Sequence, residues 1–174
     1  MKGWPPRFCA ACGGRLAAVR IEGRARRRCP RCGWVFYGNP VLAVVAAVTR
    51  GDRILLTRRA RPPHANTWDL PGGFLEADET PEEGLHRELR EELGMRVRRA
   101  RLLTFVTDRY GPGGFPILTA IYQVTPAPGD IAAADDVSEA RWFRRAALPF
   151  REIAFPSMRR ALRSWARGAK LPTR

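Results

Sequence analysis

The sequence predicts an α+β fold, in which a small cysteine-rich domain precedes a mixed β-sheet with two helices. Three observations lead to this prediction. Four cysteines occur as two CxxC pairs near the start, apolar runs of strand length recur after Asn39-Pro40, and a helix pattern from Pro81 to Leu93 carries its own start and stop signals. Strands with two helices interspersed are typical of a mixed sheet covered by helices.

The four cysteines stand at zinc-ribbon spacing. Cys9-x2-Cys12 and Cys29-x2-Cys32 are separated by sixteen residues, which leaves room for a β-ribbon between two metal-binding turns. Four thiolates complete a tetrahedral Zn²⁺ site and leave no open position for chemistry, so we predict a structural Zn²⁺. Two disulfides or a redox-active CxxC are the weaker alternatives, since a redox motif normally uses one pair.

A change of composition near Asn39-Pro40 divides the chain. Residues 1–38 lack apolar periodicity and could not hold a core unaided. We therefore predict a zinc ribbon over 1–38 and a second domain over 39–174. In the second domain the pattern predicts the following strands and helix: 41–50, 53–59, 98–107, 117–124 and 140–143 as strands, and 157–167 as a helix after Pro156.

The net charge of +14 suits an anionic partner. Only Lys2 and Lys170 are lysines, however, so an arginine-rich genome explains the charge equally well. The start "MKGWPPRF" has no apolar segment of a secretory signal, and the longest apolar run, Val41–Val48, is too short to span a bilayer. We expect a cytoplasmic protein with no membrane partner.

The helix from Pro81 to Leu93 concentrates carboxylates beside its apolar face. On a helical wheel Leu85, Leu89 and Leu93 form the core stripe, Glu88 and Glu92 lie next to it, Glu91 lies one step further round, and Arg87 points elsewhere. Carboxylates crowded at the edge of a core resist ionising together. Mg²⁺ or Mn²⁺ removes that penalty; a solvated acidic face offset by Arg87 is the alternative.

Two glycines, Gly72 and Gly73, precede this helix and let backbone carbonyls approach a ligand or metal. Together with the helix they resemble the signature of the Nudix hydrolase family. Every position that the signature specifies is filled, by Gly73, Glu79, Arg87, Glu88, Leu89, Glu91, Glu92, Gly94 and Met95. The resemblance implies an α/β/α sandwich around a mixed sheet. The ribbon ahead of it is similar to the subgroup of NADH, FAD and ADP-ribose pyrophosphatases.

The resemblance also implies a role for each residue. Glu88, Glu92 and the carbonyl of Gly72 would bind Mg²⁺ or Mn²⁺. Glu91 would share the metal or deprotonate the attacking water, with the choice of base left open. Arg87 and Glu79 would pair to brace the helix. Asp136 stands where relatives place a further acid, with Asp135 and Glu139 as rivals and a plain turn as the alternative.

The substrate class follows from the same resemblance: a nucleoside diphosphate linked to another moiety, such as FAD, ADP-ribose or a related dinucleotide. NADH is disfavoured because the Ser-Gln-Pro-Trp-Pro-Phe-Pro type motif is absent. Arg58 and Arg59 are candidates to hold the phosphates, with a solvated basic edge as the alternative. Tyr110 and Phe115 are candidates to stack a base, although aromatic residues in strands more often belong to a core.

Two other functions remain as alternatives. One is hydrolysis of nucleoside triphosphates or capped RNA ends. The other is a regulator that binds nucleic acid or senses a ligand, which the intact signature disfavours. Nucleic acid is therefore not the expected partner. Relatives often form homodimers, and the sequence leaves the oligomeric state open.

Overall fold

The computed structural model describes residues 4–111 and 113–168. The chain divides into two compact units. The first, called the ribbon unit below, comprises Met1–Val41 and Arg109–Pro116. The second, the sheet unit, comprises Leu42–Asp108 and Ile117–Arg174. A short segment from the middle of the chain thus belongs with the N-terminal residues.

The ribbon unit contains a three-stranded antiparallel sheet. Its strands are β1 (Ala17–Ile21), β2 (Arg24–Arg28) and β3 (Val35–Phe36), in that order. β1 and β2 form the ribbon that the cysteine spacing predicts. The buried core is very small and consists of Cys9, Leu16 and Cys29, with Trp34 and Phe36 packed against it.

In its described part the sheet unit is built on six strands and two α-helices. The strands are β4 (Val41–Arg50), β5 (Arg53–Arg59), β6 (Trp68–Asp69), β7 (Val97–Tyr110), β8 (Phe115–Pro126) and β9 (Val137–Arg144). The outermost residues of β4, β7 and β8 extend into the ribbon unit. Their order is β6-β5-β4-β8-β7, and β9 pairs with β5. The predicted strands are confirmed, and the last three are longer than the sequence pattern indicates.

Strands β4 and β5 separate after their hairpin, and this gap positions the candidate site. They pair at Thr49 and Ile54, whereas the end of β5 pairs with β6. The segment after β6 continues along β4, where the amides of Val44 and Ala46 donate to the carbonyls of Gly73 and Pro71 at 2.9 and 2.8 Å. The two predicted glycines therefore lie against the middle of the sheet.

The first helix, α1 (Pro81–Leu93), forms where the sequence predicts it. Thr80 and Glu83 form a reciprocal capping box, which satisfies backbone donors at the start. Gly94 ends the helix in the left-handed conformation, with φ of 62°. Its apolar stripe of Leu85, Leu89 and Leu93 is fully buried against β4, β5 and β8.

The second helix, α2 (Pro156–Ala166), includes the proline that was expected to precede it. Its N-cap residue, Phe155, makes no side-chain capping bond. Asp108 on β7 supplies the acceptor instead, because the amide and hydroxyl of Ser157 both donate to its carboxylate. A distant acid thus caps the helix, which a local sequence pattern cannot reveal.

Both faces of β4 are buried, as expected for a sheet between two helical layers. Val44, Ala46 and Val48 pack with α1, and the alternating residues Val45 and Ala47 are buried on the opposite face. Within the described residues, no helix is long and apolar enough to cross a membrane.

Candidate functional site

The glycine turn lies directly on the acidic side of α1. The amide of Gly72 donates to a carboxylate oxygen of Glu92 at 2.8 Å. A Cβ at position 73 would lie 2.6 to 2.7 Å from the carboxylate atoms of Glu88, and one at position 72 would lie 2.2 Å from the carbonyl oxygen of Val44. Glycine is therefore required at both positions for the turn to approach the helix and the sheet.

Exposure falls steeply across the three predicted metal ligands. The side chain of Glu91 is 42% exposed and that of Glu88 is 16% exposed, while Glu92 is 5% exposed. Burial raises the pKa of Glu92 to about 9, although the Gly72 amide opposes the rise. Repulsion from Asp136, Glu88 and Asp69 adds to it. A buried carboxylate with like charges around it needs a cation to remain ionised.

Glu88 lies in the same environment, less deeply buried. Burial raises its pKa, Arg87 counteracts this, and Glu91 and Asp136 add repulsion. The wheel placed Glu88 next to the core stripe and beside Glu92, and the graded burial agrees with that placement.

Arg87 does not point away from the acids, contrary to the wheel prediction. Its guanidinium donates to Glu79 at 2.6 and 2.9 Å, to Glu88 at 2.8 Å and to Glu91 at 3.0 Å. It also donates to the carbonyl of Phe74 at 3.0 Å. A helical wheel shows only the direction of each Cα–Cβ bond. The long side chain of Arg87 bends away from that direction, so that its guanidinium contacts the carboxylates. One cation therefore ties the glycine turn, Glu79 and two box carboxylates together.

Glu79 completes this arrangement from the loop before α1. The bonds from Arg87, and secondarily the Glu76 amide, lower the pKa of Glu79 to about 2. A Cβ at position 84 would lie 3.0 Å from Glu79 and 2.3 Å from Leu75, so Gly84 lets the loop pack closely on the helix.

Asp136 is held beside the acidic edge by the loop before β9. The Ala134 amide donates to the carbonyl of Glu92 at 2.8 Å, and the Asp136 carbonyl accepts from Ala60. Asp136 raises the pKa of both Glu88 and Glu92 by repulsion. Of its two rivals, Asp135 adopts a left-handed turn conformation, with φ of 55°. Glu139 pairs with Arg58 and Arg141.

Asp69 is a site residue that the sequence reasoning missed. It lies on β6 three residues before Gly72, is only 7% exposed, and its carboxylate accepts from the Leu70 amide at 2.9 Å. Burial raises its pKa to about 7, and Arg59 counteracts this. An aspartate between Trp68 and Leu70 in an otherwise apolar strand was the available signal, because acids are rarely buried without a partner.

The four cysteines of the ribbon unit come together as their spacing predicts. Their sulfur atoms all lie within 4.8 Å of one another, and none forms a disulfide. Backbone donation from Cys32 contributes most to lowering the pKa of Cys29, to about 7. The Trp34 amide lowers the pKa of Cys32, but the crowded thiols outweigh it and raise that pKa to about 12. Four thiols at this distance cannot all ionise without a cation.

Comparison with known sequences agrees with this geometry. The profile described as NUDIX domain matches residues 39–165, and the profile described as Nudix N-terminal, a zinc-ribbon family, matches residues 7–38. The chain belongs to the Nudix hydrolase family. The Nudix box is thus the turn and helix described above.

Two curated relatives illustrate the Nudix proteins that the chain is similar to. NAD-capped RNA hydrolase NudC of Deinococcus radiodurans is 34% identical over 161 residues, which cover 89% of this chain and 55% of the relative. ADP-ribose pyrophosphatase of Methanocaldococcus jannaschii is 32% identical over 120 residues, covering 68% of this chain and 69% of the relative. The chain spans about half the length of the NudC relatives that it matches.

Solved structures give the same family. A Nudix hydrolase from Nitrosomonas europaea superposes with a TM-score of 0.71 at 26% identity, covering 96% of each chain. A MutT Nudix hydrolase from Burkholderia pseudomallei superposes with a TM-score of 0.65 at 31% identity, covering 72% of this chain and 97% of the other.

Outside the Nudix box, Arg58 and Arg59 are already engaged. Arg58 donates to the carbonyl of Asn66 at 3.1 Å and pairs with Glu139 at 3.8 Å. Arg59 donates to the carbonyl of Pro63 at 3.0 Å and lies 4.0 Å from Asp69. Their role in binding the phosphates of the substrate stays a prediction. Of the two, Arg59 is the residue that contacts Asp69, the buried acid near the Nudix box.

Tyr110 and Phe115 belong to the ribbon unit rather than to the unit that carries the Nudix box. Their rings lie 5.5 Å apart, and Phe115 lies 6.4 Å from Trp4. Their stacking against a substrate base also stays a prediction. The sequence placed both residues on strands, but it carried no signal that the tip of the β7–β8 hairpin joins the ribbon.

Proposed function

We propose that this protein hydrolyses the diphosphate bond of a nucleoside diphosphate linked to another moiety, releasing a nucleoside monophosphate. One observation supports this most strongly. Glu92 is buried with a raised pKa, accepts a hydrogen bond from Gly72, and stands beside Glu88 and Asp136. Such crowding is costly for folding alone and suits the binding of divalent cations and phosphate.

The donor set fits Mg²⁺ or Mn²⁺. Glu88, Glu92 and the carbonyl of Gly72 would bind the cation, with Asp136 or Glu91 completing the oxygen ligands. When bound, such a cation polarises the phosphoryl group, lowers the pKa of a coordinated water and neutralises the leaving phosphate.

Side chains of the Nudix box are proposed to position the carboxylates and to accept the proton of the attacking water. Arg87 orients Glu88 and Glu91 through bonds of 2.8 and 3.0 Å. Glu91, the most exposed of the box carboxylates, is positioned to accept the proton of the attacking water. Water attacks one phosphorus, the bond from that phosphorus to the bridging oxygen breaks, and the two products each keep one phosphate.

The ribbon unit is proposed to bind one structural Zn²⁺ through Cys9, Cys12, Cys29 and Cys32. Its small core supports this, because three buried residues cannot stabilise a fold of this size without a cross-link. Reduced cysteines of this kind fit a reducing compartment, which favours the cytoplasm. Assembly as a homodimer stays a prediction.

The names of the relatives narrow the substrate class. ADP-ribose pyrophosphatase and NAD-capped RNA hydrolase both name a nucleoside linked through a diphosphate. FAD, ADP-ribose and related dinucleotides contain the same linkage and are therefore the substrates that we propose first. NAD-capped RNA is the second candidate, favoured by the NudC similarity across 89% of this chain, ribbon included.

The deciding experiment is a panel of nucleotides incubated with Mg²⁺ or Mn²⁺ in ¹⁸O-labelled water, with products identified by mass. FAD, ADP-ribose, NAD, nucleoside triphosphates and a short NAD-capped RNA form the panel. We expect a nucleoside monophosphate, or a monophosphorylated RNA, with the label on the phosphorus that was attacked. Release of inorganic pyrophosphate from nucleoside triphosphates alone would contradict the proposed substrate class.

Variants test the assignment of the carboxylates. Glu92→Gln should lower turnover at least about a hundredfold, because a metal ligand contributes several kcal/mol to the transition state. Glu91→Gln tests the proton acceptor in the same assay. Glu152→Gln is the matched control, since Glu152 is exposed on a short 3-10 helix outside the box. Unchanged turnover in both box variants would show that these carboxylates are wrongly assigned.

A further inference from the structure

The ribbon unit contains a pocket that the proposed hydrolysis does not use. It has a volume of about 320 Å³ and is lined by Trp4, Ala18, Ala25, Arg27, Phe36 and Tyr37, among others. Ala18, Arg27 and Phe36 are register partners across the three ribbon strands, and Ala25 lies on the same face as Arg27. The two small alanines leave a hollow between aromatic walls.

The walls present rings and cations together. The Trp4 ring lies edge-on to Phe36, with 4.8 Å between centroids. Tyr37 is 50% exposed, the Arg26 guanidinium lies 5.6 Å from its ring centroid, and Arg26 also donates to its carbonyl at 2.5 Å. The volume is within the range of about 300–1,000 Å³ that is typical of small-molecule pockets.

The charge of this part of the chain is highly asymmetric. Residues 1–41 contain nine basic residues and a single acid, Glu22, which gives a net charge of +8 out of +14 for the whole chain. A genome-wide preference for arginine would spread this excess along the chain. The remaining 133 residues, however, hold a net charge of only +6. The excess is therefore a local property of the ribbon.

Arg27 is the cation best placed to meet a ligand. It is half-buried and lines the pocket. Among the residues that the structure describes, its guanidinium makes no hydrogen bond, ion pair or ring contact. Within the described part of the chain, no side chain of residues 4–41 forms an ion pair. A partly buried guanidinium beside aromatic rings is arranged to bind an anion that carries a planar group.

We propose that this pocket binds one nucleotide of a single-stranded nucleic acid, with the base against the aromatic wall and a phosphate on Arg27. The neighbouring exposed arginines would follow the backbone of the strand on either side. A single strand fits because its unpaired bases can enter a hollow of this size, whereas the bases of a duplex are paired and stacked and offer no free face to an aromatic ring. This binding is separate from hydrolysis and requires neither Mg²⁺ nor turnover.

The test is fluorescence anisotropy of a labelled single-stranded RNA of about 12 nucleotides, a length suited to a strand-binding site. The zinc-loaded chain with both units is titrated in Mg²⁺-free buffer between about 50 and 200 mM salt. We expect salt-sensitive binding and weaker binding of the matching duplex. Arg27→Ala should reduce the affinity about five- to tenfold and lower the salt slope by about 0.7. Tyr37→Leu, which keeps apolar bulk without the phenol ring, should cost about fivefold or more.

Arg98→Ala is the matched control. Arg98 is exposed on β7 in the sheet unit, and its loss changes the net charge equally. The affinity of this variant should stay within about twofold of that of the unmodified protein, because Arg98 does not line the pocket. Absence of binding at low salt, equal affinity for the duplex, or equal losses in the Arg98 and Arg27 variants would each overturn the proposal. Zinc content and circular dichroism check that the variants fold, and Arg27→Gln replaces Arg27→Ala if that variant loses zinc.

Discussion

The ribbon unit and the sheet unit both crowd ionisable groups, but they surround them very differently. Four thiols of the ribbon lie within 4.8 Å of one another, and two of them, Cys9 and Cys29, form its small buried core together with Leu16. In the sheet unit, Glu88 and Glu92 stand at the edge of a core that contains the fully buried stripe of α1. We infer that the ribbon unit depends on the proposed Zn²⁺ for its stability, whereas apolar packing stabilises the sheet unit, so that the proposed divalent cation there can serve chemistry alone.

The largest effect is expected from breaking the thiol cluster. Cys29→Ser should lose the zinc and the folded ribbon together, because metal binding in such domains contributes about 10 kcal/mol or more of folding free energy. Metal analysis and limited proteolysis measure the two losses. Ala17→Ser, at an exposed position of β1, is the control and should keep about one Zn²⁺ per chain. If the ribbon unit resists protease without zinc, its fold does not depend on the metal, and the contrast between the two units is wrong.

A smaller effect, confined to function, is expected from Gly73→Ala. The added Cβ would lie 2.6 to 2.7 Å from the Glu88 carboxylate, so that carboxylate must move. Since displacement by about 1 Å can cost a hundredfold in rate, we expect turnover to fall about ten- to a hundredfold with little change in the melting temperature.

Gly51→Ala is the contrasting variant for that experiment. Gly51 has open space around its Cα but a φ of 57°, so alanine there strains the backbone without touching the box. Turnover should be unchanged while the free energy of unfolding falls by about 1 kcal/mol. Equal turnover in the two variants would remove the steric explanation for Gly73.

The pH dependence of stability tests the sheet unit in the absence of metal. The pKa of Glu92 is about 9 in the folded protein, against an ordinary value of 4.5. Its contribution is therefore fully present below pH 4.5 and is lost as the pH rises toward 9, with a slope of at most about 1.4 kcal/mol per pH unit. Urea unfolding of the metal-free protein between these limits measures that loss. Glu92→Gln should flatten the slope, and an equally steep slope in that variant would rule out Glu92 as its source.

The smallest effect is expected at the start of α1. Thr80→Ala removes the capping bond to Glu83 and should lower the free energy of unfolding by about 1 kcal/mol. Thr80→Ser should restore it, since serine caps equally well. If the sheet unit depends on packing as proposed, thermal unfolding will shift while the Mg²⁺ concentration needed for half-maximal turnover will not.

The parts of the molecule that were predictable from sequence are those governed by local interactions. The bounds of α1 agree with the prediction because Thr80, Glu83 and Gly94 all lie within one turn of its ends. The thiol cluster was predictable because metal geometry restricts cysteine spacing. Both patterns are readable over fewer than thirty residues.

Interactions between distant segments were not predictable. Asp108 caps α2 from 49 residues away, and Arg87 donates to the carbonyl of Phe74 as well as to Glu79, although only the pairing with Glu79 was expected. The separation of β4 from β5, which admits the glycine turn, depends on hydrogen bonds between three segments. Asp69 was overlooked because nothing in the sequence around Trp68 shows how deeply that short strand is buried.

The contact between position 73 and Glu88 has a consequence for sequence variation. Glycine is required there because a carboxylate occupies the space of a side chain, and the backbone of Gly73 itself needs no positive φ. The two positions should therefore be epistatic. In the Glu88→Ser variant, an alanine at position 73 should fit without a steric clash. The glycine at this position of the Nudix box is therefore explained by the glutamate that packs against it.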